Sequence, residues 1–426
     1  MRRSTEKAMN PQYLALAILV AVVAVFVLGF VVTRTLLDED TGSGVVAPTP
    51  AEGAATSEPV ATETPGARMP LDVKIGQLVM PRMAGTAAEG AAELVRVYHI
   101  GNMVLLADNV ESPQQVLSLT TELQTMAQDA NGAGMLIAID QEGGRVIRLG
   151  PPFTQMPAAA VIGCIGQTEF ARQEALVTGR EMLAAGINVN LAPVADVLTN
   201  PENTVIGDRA YGATPDAVTP MVLAYIEGLH QAGVLATTKH FPGHGSTSGD
   251  SHDGRVVVEK TLAELEADDL PPFRAAANET DLMMTSNVDY TTLDPAGIPA
   301  SLSKPTVDFL RASLGFDGVV ITDALEMGAV SNRWDAGEAA VRAIEAGADI
   351  VLYADADGGV AAAQALLAAV QSGRISEERV DASVARVLAL KERALAQPLP
   401  GLEVVGSAEH AAFTELLSQA RKDTGC

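Results

Sequence analysis

From position 71 onward, short runs of consecutive apolar residues alternate with longer stretches in which apolar residues recur at helical spacing. The runs are GQLVM (76–80), GNMVLLA (101–107), GMLIAID (134–140), INVNLAP (187–193), GVLATTKH (233–240), DLMMTS (281–286), GVVITDA (318–324) and ADIVLY (348–353). Continuous rather than alternating apolar character predicts parallel strands covered on both faces. Between them lie patterns such as EFARQEALVTGREMLAAG, TPMVLAYIEGLHQAG and AGEAAVRAIEAG, several of which close on glycine. Helix, glycine stop, strand is the repeating unit. Eight such units predict an α/β fold, a (β/α)8 barrel over 71–397. A doubly wound open sheet stays possible at this stage, because periodicity does not reveal whether the last strand pairs with the first. The first run is the weakest, since 76–80 also fits a helix end.

A last helical pattern, ISEERVDASVARVLALKERAL (375–395), carries Ser376 as an N-cap before two glutamates and is expected to close the barrel. The remainder, 398–426, reads as a C-terminal extension too short for a second domain, with one short helix at 408–421.

The amino terminus has a different pattern. Residues 14–32 read LALAILVAVVAVFVLGFVV, uncharged and about as long as the 20 apolar residues that cross a hydrocarbon core. Arg2, Arg3 and Lys7 precede this stretch, so residues 1–13 are expected to be cytoplasmic, 14–32 a single uncleaved transmembrane helix, and the bulk of the chain extracytoplasmic at a bacterial cell membrane. Residues 33–70, rich in Pro, Thr, Ala, Gly and acid, are expected to form a disordered linker. The expected fold is thus a barrel preceded by an anchor and a tether, with the membrane as a partner.

Composition narrows the partners further. Of 426 residues, 28 are basic and 53 acidic, a net charge of −25 that repels a phosphate backbone, so no nucleic acid is expected. Two cysteines are too few for a disulfide scaffold or thiolate cluster and leave the redox compartment undecided. No GxGxxG or Walker-type loop occurs, and no cofactor is expected. A monomer is expected.

In a barrel of this kind reactive groups stand at the carboxyl ends of strands. Asp140, Asp196, Lys239, His240, Asn287, Asp289 and Asp323 lie at or just beyond run ends, and Asn188 and Asn190 lie within the fourth run. Carboxylates, amides and one cationic pair suit a polyhydroxylated ligand, whose hydroxyls each want a donor and an acceptor. In GVVITDALEM a rigid strand leads into Asp323, which reads either as an N-cap of a following helix or as a nucleophile toward an anomeric carbon. The loop KHFPGHGSTSGDSHDG (239–254) places Asp250 one residue from His252, close enough to fix the imidazole tautomer and make it a proton donor and acceptor. His240, His244, His252 and Asp250 are also zinc-ligand types. Pro242, Gly243 and Gly245 argue against the helix that such a histidine pair needs, so no metal is expected. His240 reads as a fixed hydrogen-bond donor to a sugar. DQEGGRV joins Asp140 to Gly143, Gly144 and Arg145, and VIGDRAYG sets Asp208 beside Arg209, where a surface salt bridge is the simpler reading.

Taken together, IDQEGGRVIRL, NVNLAPVADV, VIGDRAYG, KHFPGHGSTSGDSH and VITDALEMGAV resemble the β-N-acetylhexosaminidases of glycoside hydrolase family 3, in the family's order over about 71–397. The resemblance implies a TIM barrel and a retaining exo-glycosidase releasing terminal β-linked N-acetylglucosamine from peptidoglycan fragments. It implies Asp323 as nucleophile, His252 as acid/base supported by Asp250, and glycan contacts from Asp140, Arg209, Lys239 and His240, with Arg145 nearby. Two departures stand out. Asn287 occupies a place where relatives usually carry histidine, and the sandwich-like domain that many relatives carry after the barrel is not expected here. Phosphorolysis, glucosidase or xylosidase activity, and a muropeptide-binding module without turnover, are the competing readings.

Overall fold

The computed structural model describes Gly66 and residues 68–426. Among the described residues ten strands follow in chain order: β1 (Val79–Pro81), β2 (Asn102–Leu105), β3 (Leu136–Ile139), β4 (Val189–Asn190), β5 (Leu235–Phe241), β6 (Val257–Val258), β7 (Leu282–Thr285), β8 (Asp289–Tyr290), β9 (Val319–Thr322) and β10 (Val351–Tyr353). Six of them pair in parallel in the order β2-β3-β4-β5-β7-β9, and β1 pairs with β10. Single parallel bridges, Arg82 to Val104 and Ile321 to Ile350, join the two groups. The last barrel strand therefore meets the first, which decides for a closed eight-stranded barrel over an open sheet. The strands β6 and β8 lie outside it and form a two-stranded sheet of their own.

Inside the barrel, Met80, Val104, Leu136, Val189, Met284 and Ile321 form one apolar cluster. Val387, Leu390 and Ala394 of the helix Glu377–Leu395 join this cluster. That helix plugs the end where the strands begin: Lys391 donates to Gly101 O just before β2, and Arg386 meets Asp349 just before β10. With the lower mouth filled, the upper mouth is left for chemistry. Ser376 caps this helix as expected, accepting from Arg379 N–H, and Gly132, Gly233, Gly315 and Gly347 end helices in the left-handed conformation.

Each barrel strand is shorter than its run, and in two the cause is plain. The first begins at Val79 because the helix Leu71–Gly76 takes the start of the run. The fourth spans only Val189–Asn190, and side chains substitute for its missing ladder. Asn188 accepts from Ile137 N–H and donates to Met135 O, while Asn190 brackets both backbone groups of Gln141. Neither asparagine is left over for a ligand.

The C-terminal extension contains the helix Ala408–Thr424, longer than expected at its far end. A disulfide between Cys164 and Cys426 ties its end to the helix Ala159–Ile165, with Cα atoms 5.9 Å apart. At the near end, buried His410 Nδ1 lies 2.7 Å from buried Glu181 Oε1. The two cysteines that composition left unassigned thus find each other across a sequence separation of 262. Constraint of the unfolded chain is greatest for such long loops.

The expected fold class is corrected in one respect. Among the described residues no helix is long and apolar enough to cross a membrane. The helices here bury one face on the sheet and keep charged residues on the other, the opposite of a lipid-facing helix. The stretch 14–32, which carried the expectation of a transmembrane helix, lies outside the described residues, as does nearly all of the expected linker. The membrane as partner and the single-pass extracytoplasmic location are withdrawn with it.

Candidate active site

A cavity of about 630 Å³ opens at the carboxyl ends of the barrel strands. Of the residues singled out in the sequence, Asp140, Arg145, Arg209, Lys239, His240, Asp250, His252 and Asp323 line it, and Asn188, Asn190, Asp196, Asn287 and Asp289 do not. They arrive from four different strand ends, those of β3, β4, β5 and β9, so only the curl of the barrel brings them to one place.

The floor is an ion-paired cluster. Lys239, at the end of β5 and 2% exposed, holds its ammonium 2.6 Å from Asp140 Oδ1 and 2.6 Å from Glu142 Oε1. Arg209 meets Glu142 through Nε and Nη2, each at 2.8 Å, the fork-to-fork geometry that arginine favours. Burial alone would raise the Glu142 carboxyl, but Lys239 and Arg209 outweigh it and hold the group well below the usual carboxylate range. Burial would likewise lower Lys239, yet Asp140 and Glu142 keep it above the ordinary lysine value and therefore charged. Sequence reasoning missed Glu142. Its signal was present, a carboxylate two residues beyond Asp140 on the same glycine-rich strand end.

Asp208 and Arg209 do not pair with each other. Asp208 Oδ1 accepts from Arg145 Nε at 2.9 Å, and Arg145 Nη2 donates to the carbonyls of Thr204, Val205 and Ile206. Arg145 therefore edges the cavity as a brace for the 204–208 loop, with most of its donors engaged.

His240 is held from behind. Buried Asp196 accepts from its Nδ1 at 2.7 Å, which directs Nε2 toward the cavity and Arg209. Asp196 also accepts from the His244 amide at 2.6 Å. His244 in turn uses Nδ1 on Thr247 and Nε2 on Ser251. Burial, working against Asp196, keeps the His244 imidazole below its usual range and so neutral. Gly245 permits this arrangement: a Cβ there would meet Val197 O at 2.0 Å. The loop lies directly on the chain that follows β4.

Beyond that anchored stretch the loop becomes exposed. His252 Nδ1 lies 2.7 Å from Asp250 Oδ1, with the two side chains 62% and 40% exposed. The same oxygen accepts the His252 amide at 2.9 Å. Slight burial raises the Asp250 carboxyl, and the bonds from the His252 amide and ring lower it by more, leaving it below the usual range. Gly328 N–H donates to His252 O at 2.9 Å and Ala329 N–H to Ser251 O at 3.1 Å, so this loop rests on the chain after β9.

That chain carries Asp323, one residue past the end of β9. Its amide donates to Thr285 O of β7 and its Oδ1 accepts from Ala324 N–H at 2.8 Å. It does not cap a helix: the next one, Gly328–Ser331, has Met327 in that position. Asn287 is fully buried; it donates to Ala324 O and accepts from Ser301 Oγ, holding the residue after Asp323. Asp289 lies away from the cavity, paired with Arg255 and Arg333.

The family model described as the glycosyl hydrolase family 3 N terminal domain matches residues 70–390. A solved β-N-acetylglucosaminidase of glycoside hydrolase family 3 from Paenibacillus sp. str. FPU-7 superposes with a TM-score of 0.80 at 42% identity, over 83% of this chain and 68% of that one. Beta-hexosaminidase LpqI of Mycobacterium tuberculosis is 36% identical over 75% of this chain and 82% of its own length. Beta-hexosaminidase A of Pseudoalteromonas piscicida is 34% identical over 74% of this chain, which spans only 57% of that protein.

Proposed function

Since this chain belongs to glycosyl hydrolase family 3, we propose that it is a retaining exo-β-N-acetylhexosaminidase that removes terminal β-linked N-acetylglucosamine from glycans such as peptidoglycan fragments. One observation carries the reading: Asp323, on a strand end, and the Asp250–His252 pair, on a loop, line a single cavity. Two groups on one glycosidic bond are what double displacement requires.

In this reading the sugar sits on the ion-paired floor. Asp140 and His240 Nε2 serve its hydroxyls, and Lys239 and Arg209 fix the carboxylates and donate where a proton remains free. Asp323 attacks the anomeric carbon and forms a covalent glycosyl ester while His252 Nε2 gives its proton to the departing oxygen. Anionic Asp250 holds Nδ1–H, which fixes the tautomer and stabilises the imidazolium. Water then enters from the leaving-group side, His252 takes its proton, and Asp323 departs, so the anomeric configuration is retained.

Replacing Asp323 by Asn removes the nucleophile and leaves the shape. Turnover of an aryl N-acetyl-β-glucosaminide is expected to fall by at least ~10³-fold. An Asp323→Asn enzyme that works at the parental rate ends this assignment.

A further inference from the structure

A short helix outside the cavity touches both stretches of backbone that carry its floor. The chain entering the helix Ala159–Ile165 supports the Gly143–Gly144 turn: Gly144 N–H donates to Met156 O at 3.0 Å, and a Cβ on Gly143 would collide with Pro157 O. The helix itself lies against the chain that follows Arg209, where a Cβ on Gly163 would collide with Tyr211 O. Glu142 and Arg145 flank the turn, Arg209 precedes Tyr211, and all three line the cavity. Arg145 also bonds the carbonyls of Thr204, Val205 and Ile206. A shift of the helix therefore moves both floor segments.

Seven residues are too few for a helix to hold itself, and no side chain caps its start. It is pinned by buried Ile162 and Ile165 and by the disulfide from Cys164 to Cys426, just past the helix Ala408–Thr424. That C-terminal helix is fastened separately to the helix Thr168–Ala184: His410 Nδ1 lies 2.7 Å from Glu181 Oε1, and the Phe413 ring packs 6.3 Å from that of Phe170. Only Gly166 and Gln167 separate the long helix from the short one. The C-terminal helix thus bridges this break, tied to one side by side-chain contacts and to the other by the sulfur bond.

We propose that the Cys164–Cys426 bond and the C-terminal helix form a positioning strap, which holds the helix Ala159–Ile165 on the backbone of Gly143, Gly144 and Tyr211 and so fixes the spacing of Glu142 and Arg209. The two cysteines are positioning residues remote from the sugar, and the inference rests on the glycosidase reading. Groups that meet a substrate in fixed geometry lose affinity and rate steeply when displaced. Cys164 is exposed, so a dithiol can open the strap. One thiolate of the dithiol attacks a sulfur and releases the other as a thiol; its second thiol then closes a cyclic disulfide and frees the first, two electrons passing to the protein.

The test compares the full chain with the bond closed and after opening by dithiothreitol, well below the melting point. Two quantities are read: affinity for an uncharged N-acetylglucosamine-derived inhibitor, and kcat/KM on a dinitrophenyl N-acetyl-β-glucosaminide. Opening is expected to weaken both by about three- to tenfold, and reoxidation to restore them. Cys164→Ser is expected to match the opened enzyme and to ignore dithiothreitol. Tm is expected to fall whenever the bond is open, because a constraint on the unfolded chain is lost. A lower Tm with affinity and kcat/KM unchanged makes the bond purely structural and overturns the proposal, as does an equal response to dithiothreitol in Cys164→Ser. If the opened protein unfolds, Phe413→Ala with the bond closed takes its place: weaker inhibitor binding supports the strap, and unchanged binding refutes it. A closed enzyme that turns over no aryl N-acetyl-β-glucosaminide would instead sink the glycosidase reading itself.

Discussion

The floor of the cavity and the loop above it handle charge in opposite ways. Lys239, Asp140, Glu142 and Arg209 are packed at strand ends in a closed ion-pair network, with Lys239 2% exposed and Glu142 8%. Asp250 and His252 form a single pair, largely in solvent, on a loop resting on two backbone amides. Groups that hold a sugar gain from being fixed before it arrives, because ordering them at the moment of binding would cost affinity. A group that must both release and take up a proton needs water and room. The difference predicts that damage to the floor appears as lost stability together with lost activity, whereas damage to the loop appears in the rate alone.

Lys239→Met is expected to have the largest effect. It leaves two carboxylates without their shared cation, and breaking a buried pair costs about 3–5 kcal/mol, a fall in Tm of roughly 10 °C, alongside loss of turnover. Thermal melting with normal stability would show that the network is less buried than it looks. His252→Ala comes next, with about 10²–10⁴-fold lost on substrates with poor leaving groups and far less on dinitrophenyl glycosides. Its stability is expected to change by no more than about 0.5 kcal/mol. Equal losses across leaving groups would remove His252 from the proton-transfer role. The smallest effect is expected from Gly328→Ala, where a new Cβ would sit 2.7 Å from His252 O and from the Asp253 backbone. Displacing the loop is expected to reduce turnover of poor leaving groups by about tenfold while leaving inhibitor affinity on the floor unchanged. If affinity falls as much as rate, the loop and the floor are not separate.

Much of this arrangement was legible in the sequence, and what escaped did so for identifiable reasons. Asp323 and Lys239 were visible because a run of apolar residues ending in a charge marks a strand tip. Asp250 and His252 were visible because their spacing is local. Glu142 was harder to see: it lies near the more conspicuous Asp140, and what marks it is the pair of cations, Lys239 and Arg209, that the fold brings to it. Asn188 and Asn190 looked equally promising and turned out to be bonded to the backbone. The apolar stretch 14–32 shows the limit from the other side. It supported an anchor from hydropathy alone, an expectation that no helix among the described residues meets.

The order of runs and glycine stops along the chain determined the alternation of strands and helices, since period and chain breaks are local properties of the backbone. Which strand closes on which, which cysteine meets which, and whether a carboxylate has a cation within reach were decided only in three dimensions. Those contacts join residues tens to hundreds of positions apart, and the charge a side chain carries depends on whichever neighbours the closed barrel brings to it.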